Sequence, residues 1–267
     1  MSHSSQQTAL ITGASTGIGY ELAEVFARDH YNLVLVARSQ KKLEKLAGNL
    51  ERDYGIKTTV ITQDLSVADG PQKIHDVLQK QGIEIDVLVN NAGFGNYGMF
   101  TETDWKTEAA MIQLNITSLT HLTKLFLPSM LKKGRGKIMN IASTAAFFPG
   151  PFMSVYYASK AYVLSFSQAL SKELAGSGIT VSVLCPGATK TEFSKVANME
   201  NARLFDSNLI IFMSAKEVAV QGYKGLMKNK SLVITGLANK LMIQSVRFIP
   251  RNLMLNILHW IMSKRIR

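Results

Sequence analysis

The chain has 267 residues, 46% of them hydrophobic, enough for the core of one α/β domain of ordinary size. A single cysteine, Cys185, excludes a disulfide framework or a thiolate metal site, and five scattered histidines offer no metal-ligand spacing, so no metal is expected. The net charge is +11, yet residues 1–217 hold 21 Lys and Arg against 19 Asp and Glu, so most of the excess belongs to the C-terminal stretch rather than to the fold.

The N-terminus, Met1 to Gln7, is polar and uncharged and runs straight into an apolar stretch, so no signal peptide is expected. Thr8 to Ile11 reads as a buried strand. It is followed by the glycine turn Thr12-Gly-Ala-Ser-Thr-Gly-Ile-Gly19 and a helical pattern to about Arg28. Asn32–Ala37 is a second strand, and Gln40 to Asp53 places Leu43, Leu46, Ala47 and Leu50 at helical spacing. Strands at Lys57–Ile61 and Ile85–Val89 flank a helix opened by Gly70-Pro71 that runs to about Gln81. A long helix is expected from about Thr107 to Lys132, then a strand at Gly136–Ile141, a helix from Ser154 to about Ala175 and a strand at Ile179–Leu184. Residues 192–213 read as an insertion, Ser214 as the cap of a helix to about Lys228, and Leu232–Ile234 as a seventh strand.

Strand and helix alternate, and the strands are continuous apolar runs. That pattern predicts a single doubly wound parallel sheet with helices on both faces, an α/β architecture of the Rossmann type. Such a sheet binds ligands at the carboxyl ends of its strands. A dinucleotide-binding catalytic domain is expected over residues 1–236, including a substrate lid at about 192–213, with an extension at 237–267.

Glycines in a strand-to-helix turn let the backbone approach a pyrophosphate, and the helix N-terminus favours its negative charge. The candidates here are Gly13, Gly17 and Gly19, with Ser15, Thr16 and Ile18 between them. The spacing is G-x-x-x-G-x-G rather than G-x-G-x-x-G. The second strand ends in Arg38-Ser39 with no acid, where an arginine accepts a 2′-phosphate, so NADP(H) is favoured over NAD(H). The other reading of Arg38 is a solvated residue opening a helix. Asp64 either accepts from an adenine amino group or caps a turn.

Tyr156 and Lys160 are four residues apart and share a helix face. A neighbouring cation favours the phenolate, so Lys160 is expected to lower the Tyr156 pKa and ready it for proton transfer. Ser143 offers a hydroxyl to the same substrate oxygen.

Together these residues resemble the short-chain dehydrogenase/reductase family. The matching motifs are Thr12-Gly-x-x-x-Gly-x-Gly19, Asp64-Leu65, Asn90-Asn-Ala-Gly93, Asn115, Ser143, Tyr156-x-x-x-Lys160 and Pro186-Gly187 with Thr191, in family order over roughly residues 8–235. The pattern is most similar to the NADP-preferring branch with steroid dehydrogenases and long-chain keto-acyl reductases. The resemblance implies catalytic roles for Asn115, Ser143, Tyr156 and Lys160, with Tyr156 rather than Tyr157 as the acid and Asn115 anchoring a water chain. It also implies cofactor contacts at Leu65, Asn91, Ala92, Gly93, Pro186, Gly187, Thr189 and Thr191. The implied reaction is hydride transfer between nicotinamide and a carbonyl or secondary alcohol. A non-catalytic dinucleotide-binding sensor or scaffold is the alternative.

Phe94, Phe148, Phe152, Met153 and Phe193 flank the candidate catalytic residues as an apolar mouth, suited to a bulky lipophilic small molecule such as a steroid, a long-chain keto-acyl group or a xenobiotic ketone. Residues of the insertion, Leu204, Phe205, Leu209, Ile210 and Ile211 among them, extend that apolar character. Beyond Glu217 the chain carries nine basic residues and no acid. Pro250 is expected to open a helix with Leu253, Met254, Ile257, Leu258, Ile261 and Met262 on its apolar side. That helix either meets anionic lipid as a peripheral contact, covers the substrate mouth or pairs two subunits. A homo-oligomer, dimer or tetramer, is expected. No nucleic-acid partner is expected, since no recognition motif accompanies the charge. With no run of about 18–20 apolar residues, the location expected is cytoplasmic, at most peripheral to a membrane.

Overall fold

The computed structural model describes residues 6–197, 199, 212–246 and 248–263. Most of the predicted insertion, at 198 and 200–211, lies outside the described residues. Seven parallel strands form the central sheet: β1 (Thr8–Thr12), β2 (Asn32–Ala37), β3 (Thr58–Thr62), β4 (Val87–Asn90), β5 (Gly136–Ile141), β6 (Ile179–Cys185) and β9 (Leu232–Ile234). Their order is β3-β2-β1-β4-β5-β6-β9. The order reverses between β1 and β4, which pair in register from Ala9 with Val87 to Ile11 with Val89. The loops leaving those two strands therefore diverge and open a crevice at their carboxyl ends.

The strands lack alternation because both faces are covered. On one face α1 (Gly17–Arg28), α2 (Gln40–Tyr54) and α8 (Ala215–Met227) pack around Phe26, Leu22, Leu43, Leu46 and Val218. On the other, α3 (Gly70–Lys80) and α5 (Leu119–Lys133) bury Ile74, Leu78, Phe126 and Met130. Each such side chain contributes roughly 1.5–3 kcal/mol when fully buried. Gly55 and Gly134 end α2 and α5 in the left-handed conformation, which a side chain would strain. Ser214 caps α8 in a reciprocal box with Glu217, as its position before the apolar run predicts.

The long helix predicted from Thr107 is a composite. It comprises α4 (Trp105–Ile112), one wide π turn at Gln113–Ser118, and α5. The widened turn carries Asn115, and such turns often mark functional positions. After β5 comes a 3₁₀ turn (Thr144–Phe147), then α6 (Ser154–Glu173). Two short strands, β7 (Thr189–Lys190) and β8 (Met213–Ser214), pair in parallel and fix both ends of the insertion, and α7 (Phe193–Val196) begins it. The chain ends in α9 (Leu237–Val246), which the sequence pattern does not reveal, and α10 (Arg251–Met262), which begins where Pro250 predicts.

Candidate functional site

Four strand ends converge on the crevice. The turn after β1 places Gly13 and Gly17 at positive φ, 66° and 58°. Space is as decisive as conformation there. A Cβ on Gly19 would lie 2.3 Å from the Gly13 carbonyl oxygen, and one on Gly17 would lie 3.2 Å from Thr191 Cγ2. Asn91 ties the β4 loop to this turn by donating to the Thr12 and Gly13 carbonyls at 2.9 and 3.2 Å. Thr12 Oγ1 accepts from the Asn91 and Ala92 amides, both at 3.0 Å.

Thr16 and Ser39 are the N-caps of α1 and α2, yet neither hydroxyl caps its helix, and neither helix has an acid in its first turn. Those free N-termini and hydroxyls suit phosphate groups. Arg38 is exposed beside Ser39, with no acid in the preceding strand. Pyrophosphate on the glycine turn and a 2′-phosphate near Arg38 and Ser39 fit these residues. An open groove of about 630 Å³ lies at this end, between Thr16, Gly17, Lys190 and Thr191. It does not reach Tyr156.

Several residues predicted to touch the cofactor also have structural duties. Asp64 Oδ1 accepts from the Ser66 amide and hydroxyl at 2.8 and 2.7 Å, the turn-capping role. Leu65 is buried in the core, and its carbonyl accepts from Ser118 Oγ at 2.6 Å. Asn90 faces inward, donating to Thr123 and Asn140. Thr191 Oγ1 accepts from the Phe193 amide at 3.2 Å, a cap for α7. Thr189 Oγ1 donates to the Gly187 carbonyl at 2.9 Å. The Pro186 carbonyl accepts from the Thr144 amide at 2.8 Å and from Ser143 Oγ at 3.4 Å.

The four predicted catalytic residues come together. Ser143, at the end of the β5 loop, lies beside the buried Tyr156 on α6, and its hydroxyl acts on the phenol. Lys160 Nζ lies 5.7 Å from the centre of the Tyr156 ring. Gly93 sits between Asn115 and Lys160, since a Cβ there would lie 2.9 Å from Asn115 Oδ1 and 3.4 Å from Lys160 Nζ. Asn115 Nδ2 reaches Ser159 Oγ at 3.1 Å, and Ser159 in turn donates to the Tyr156 carbonyl at 2.7 Å. Tyr157 points away and packs over Gly150, where a Cβ would lie 2.4 Å from its ring.

The electrostatics differ from the expected depression of Tyr156. Burial raises its pKa above the ordinary tyrosine value, and only the neighbouring Ser143 hydroxyl pulls it back. Lys160 adds little because it is itself buried, which lowers its pKa to about 8, and its Nζ donates to the Ile141 carbonyl at 3.0 Å. Tyr156 is thus a protonated phenol. Lys160 keeps two N–H donors beyond the Ile141 bond. Asn115 spends both amide hydrogens, on Phe94 O and Ser159, and accepts from the Phe94 amide, so it acts first as a clamp with one lone pair to spare for water.

The residues expected to form the apolar mouth pack closely around Tyr156. Phe193 lies 5.3 Å from the Tyr156 ring, and Met153, Tyr97, Met111 and Met262 join Tyr156 in one buried cluster, with Phe94 and Phe152 against it. Phe148 sits further out, 6.0 Å from Tyr157. Sequence reasoning misses Tyr97, whose hydroxyl donates to the Met262 carbonyl on α10, and His259, whose ring lies 5.1 Å from Phe152. It also misses Asn239 of α9, which fills the space beside Gly187. Cys185 is buried as predicted. Of the predicted apolar side of α10, Met254, Leu258, Ile261 and Met262 turn inward, whereas Leu253 and Ile257 are exposed with Trp260.

A family model described as short chain dehydrogenase matches residues 7–202. The very-long-chain 3-oxoacyl-CoA reductase of Anas platyrhynchos is 37% identical over 195 residues, 71% of this chain and 62% of that protein. The chain therefore spans less than two thirds of that relative's length. A short-chain dehydrogenase from Sphingobium yanoikuyae in complex with NADPH superposes with a TM-score of 0.80 at 34% identity, covering 93% of this chain and 95% of that one. The bulky-bulky ketone specific alcohol dehydrogenase from Comamonas testosteroni gives 0.76 at 31% identity, covering 93% of each. The strand order and the glycine turn agree with a family match that spans most of the sequence: the chain belongs to the short chain dehydrogenase family.

Proposed function

We propose that this chain is an NADP(H)-dependent oxidoreductase that interconverts a carbonyl and a secondary alcohol on a bulky lipophilic substrate. The observation that carries this reading is a buried Tyr156 flanked by Ser143 and Lys160, at the end of a crevice with unused phosphate-binding groups. NADPH, when bound, supplies the hydride. Tyr156 gives its proton to the developing alkoxide, and the burial that raises its pKa keeps that proton in place until an oxyanion forms. Ser143 holds the same oxygen, where a preorganised donor matters most as charge develops. The two free donors of Lys160 would hold the nicotinamide ribose of a bound cofactor. Asn115 positions the Phe94 backbone and the start of α6. Gly13, Gly17, Gly19 and Thr16 hold pyrophosphate, and Arg38 and Ser39 hold the 2′-phosphate.

Phe94, Phe152, Met153 and Phe193, together with Tyr97 and Met262, pack into an apolar cluster around Tyr156, a lining that suits a steroid, a long-chain keto-acyl group or a xenobiotic ketone. The similarity to a protein named for 3-oxoacyl-CoA reduction and to one named for bulky ketones agrees with that chemistry. Residues 1–236 form the catalytic unit and 237–267 an extension with two roles. Its inner side packs on that cluster through Met262 and His259. Its outer face carries Leu237, Leu241, Phe248, Leu253, Ile257 and Trp260 in exposed positions, near Lys240 and Arg251, and rests on an anionic lipid surface. None of the described helices is long and apolar enough to cross a membrane. A peripheral location and a homo-oligomeric state complete the reading.

The test is NADPH oxidation with a panel of bulky ketones, run beside NADPH binding by fluorescence. Wild type should bind and turn over, while Tyr156→Phe should bind without turnover. Binding without turnover by wild type across the panel would favour a dinucleotide sensor.

A further inference from the structure

The segment Phe94–Gly98 forms the wall against which the Tyr156 ring rests. Gly95 is so close that a Cβ there would lie 3.3 Å from Tyr156 Cδ2, 2.9 Å from Met153 Cε and 2.8 Å from Phe193 Cζ. A shift of this segment by a fraction of an ångström therefore moves the phenol. It is tied at four points. Asn115 clamps both backbone groups of Phe94, the Gly98 amide donates to Phe152 O at 2.9 Å, and the Tyr97 hydroxyl donates to Met262 O. The fourth tie is Asn96 Nδ2 donating to Glu108 Oε1 at 3.1 Å.

That last tie is chemically out of place. Glu108 on α4 is only 4% exposed, and its neighbour one turn along, Met111, is fully buried in the cluster around Tyr156. Its second oxygen, Oε2, is buried with no hydrogen-bond partner, and no cation pairs with it among the described residues. A methionine there would bury apolar surface at no such cost, and an acid that merely suited the start of α4 would do so from the surface. Unsatisfied groups of this kind persist at positions held for function rather than stability.

We propose that Glu108 is a positioning residue for the reaction: through Asn96 it holds Gly95 against Tyr156 and so sets where the phenolic proton is delivered. The inference rests on the reductase reading above. Four variants test it: Glu108→Met, Glu108→Gln, Asn96→Ala and the double Asn96→Ala with Glu108→Met. Misplacing a donor by about 1 Å costs up to about a hundredfold in rate, so Glu108→Met and Asn96→Ala should each lower kcat for a bulky ketone by about tenfold. NADPH affinity should stay at the wild-type value, and the melting temperature of Glu108→Met should be equal or higher. Glu108→Gln keeps the acceptor for Asn96 and should restore kcat to within about threefold of wild type. The double variant should lose no more than either single one, because both break one tether.

Wild-type kcat in folded Glu108→Met and Asn96→Ala would overturn the proposal. So would a loss of kcat accompanied by a matching fall in melting temperature that Glu108→Gln fails to rescue, or multiplicative losses in the double variant. If Glu108→Met does not fold, Asn96→Ala against Glu108→Gln decides, since both retain polar groups at position 108. Wild type that binds NADPH and reduces no ketone fails earlier, at the function itself. Turnover by wild type that the variants match fails at the tether alone.

Discussion

The carboxyl ends of β1, β4 and β5 and the C-terminal helices α9 and α10 are two regions built on opposite terms. At the strand ends nearly every polar group is spoken for: Thr12 serves Asn91 and Ala92, Asn115 clamps Phe94, and Ser159 joins Asn115 to Tyr156. In α9 and α10 the inward side is narrow, with Ile243 and Met262 buried, while Leu237 is 72% exposed and Phe248, in the link between them, 87%. The first region is complete within the chain and fixes geometry. The second leaves large apolar side chains in water beside basic ones, which costs solubility unless something covers them. On the function proposed above, chemistry belongs to the first region and the lipid contact to the second.

Separable losses would confirm that division, and shared losses would break it. The largest effect belongs to Tyr156→Phe. Removing a positioned acid costs about 10²–10⁴ in rate, so ketone turnover should fall by about a thousandfold. NADPH affinity and recovery on anionic vesicles should not change. A variant that lost vesicle recovery as well would show the two regions to be one cooperative unit.

Arg38→Asp comes next. A charge-assisted bond to phosphate contributes about 1.5–3 kcal/mol, so kcat/KM with NADPH should fall by about tenfold to a hundredfold. NADH should be affected little, since it lacks the 2′-phosphate. Equal losses with both cofactors would place Arg38 outside the phosphate site and return it to a solvated helix-opening residue.

Much of the first region is legible in the sequence, because it depends on local pattern. Unbroken apolar runs such as Asn32–Ala37 announce strands buried on both faces, and Gly13, Gly17 and Gly19 mark a turn that tolerates no side chain. What escapes is whatever depends on distant pairing or on burial. The Tyr97–Met262 bond joins residues 165 apart, and Asn239 matters only because Gly187 leaves room for it. Glu108 looks like an ordinary acid at a helix start until its burial is seen. Lys160 near Tyr156 suggests a lowered phenol pKa by proximity alone, yet desolvation of both groups reverses the sign. α9 is missed because, of its ten residues, only Ile243 is buried, too few for a helical stripe to show.

For the second region the discriminating variant is Leu241→Asp with Phe248→Asp. Each replaces an exposed apolar group with a like-charged repellent for anionic lipid. Recovery on phosphatidylserine vesicles should fall by roughly tenfold or more, since each buried apolar side chain and each charge contributes about 1 kcal/mol or more. Turnover of a water-soluble ketone should remain at the wild-type rate. Unchanged vesicle recovery would remove lipid as the partner and leave subunit pairing to account for the exposed face.

The smallest effect is a pH signature confined to the first region. Burial lowers Lys160 to about 8 from its ordinary 10.5 and raises the neighbouring Cys185 to about 12 from 9.0. Below about pH 8 Lys160 is charged in both folded and unfolded chains, and the full cost of burying that charge is present. Between 8 and 10.5 the unfolded chain holds a proton that the folded chain has released, so stability rises with pH. Cys185 acts in the opposite sense from pH 9 upward, because the unfolded thiol ionises while the buried one does not. Stability should therefore rise by about 1 kcal/mol from pH 8 to a maximum near pH 9, then level off or fall. Denaturant midpoints of the ligand-free protein measure this directly. Lys160→Met should abolish the rise, Cys185→Ala should let it continue past pH 9, and Leu241→Asp with Phe248→Asp should leave the maximum where it is. A maximum displaced by the tail variant would show that the covering helix, rather than the sheet beneath it, controls how dry Lys160 is.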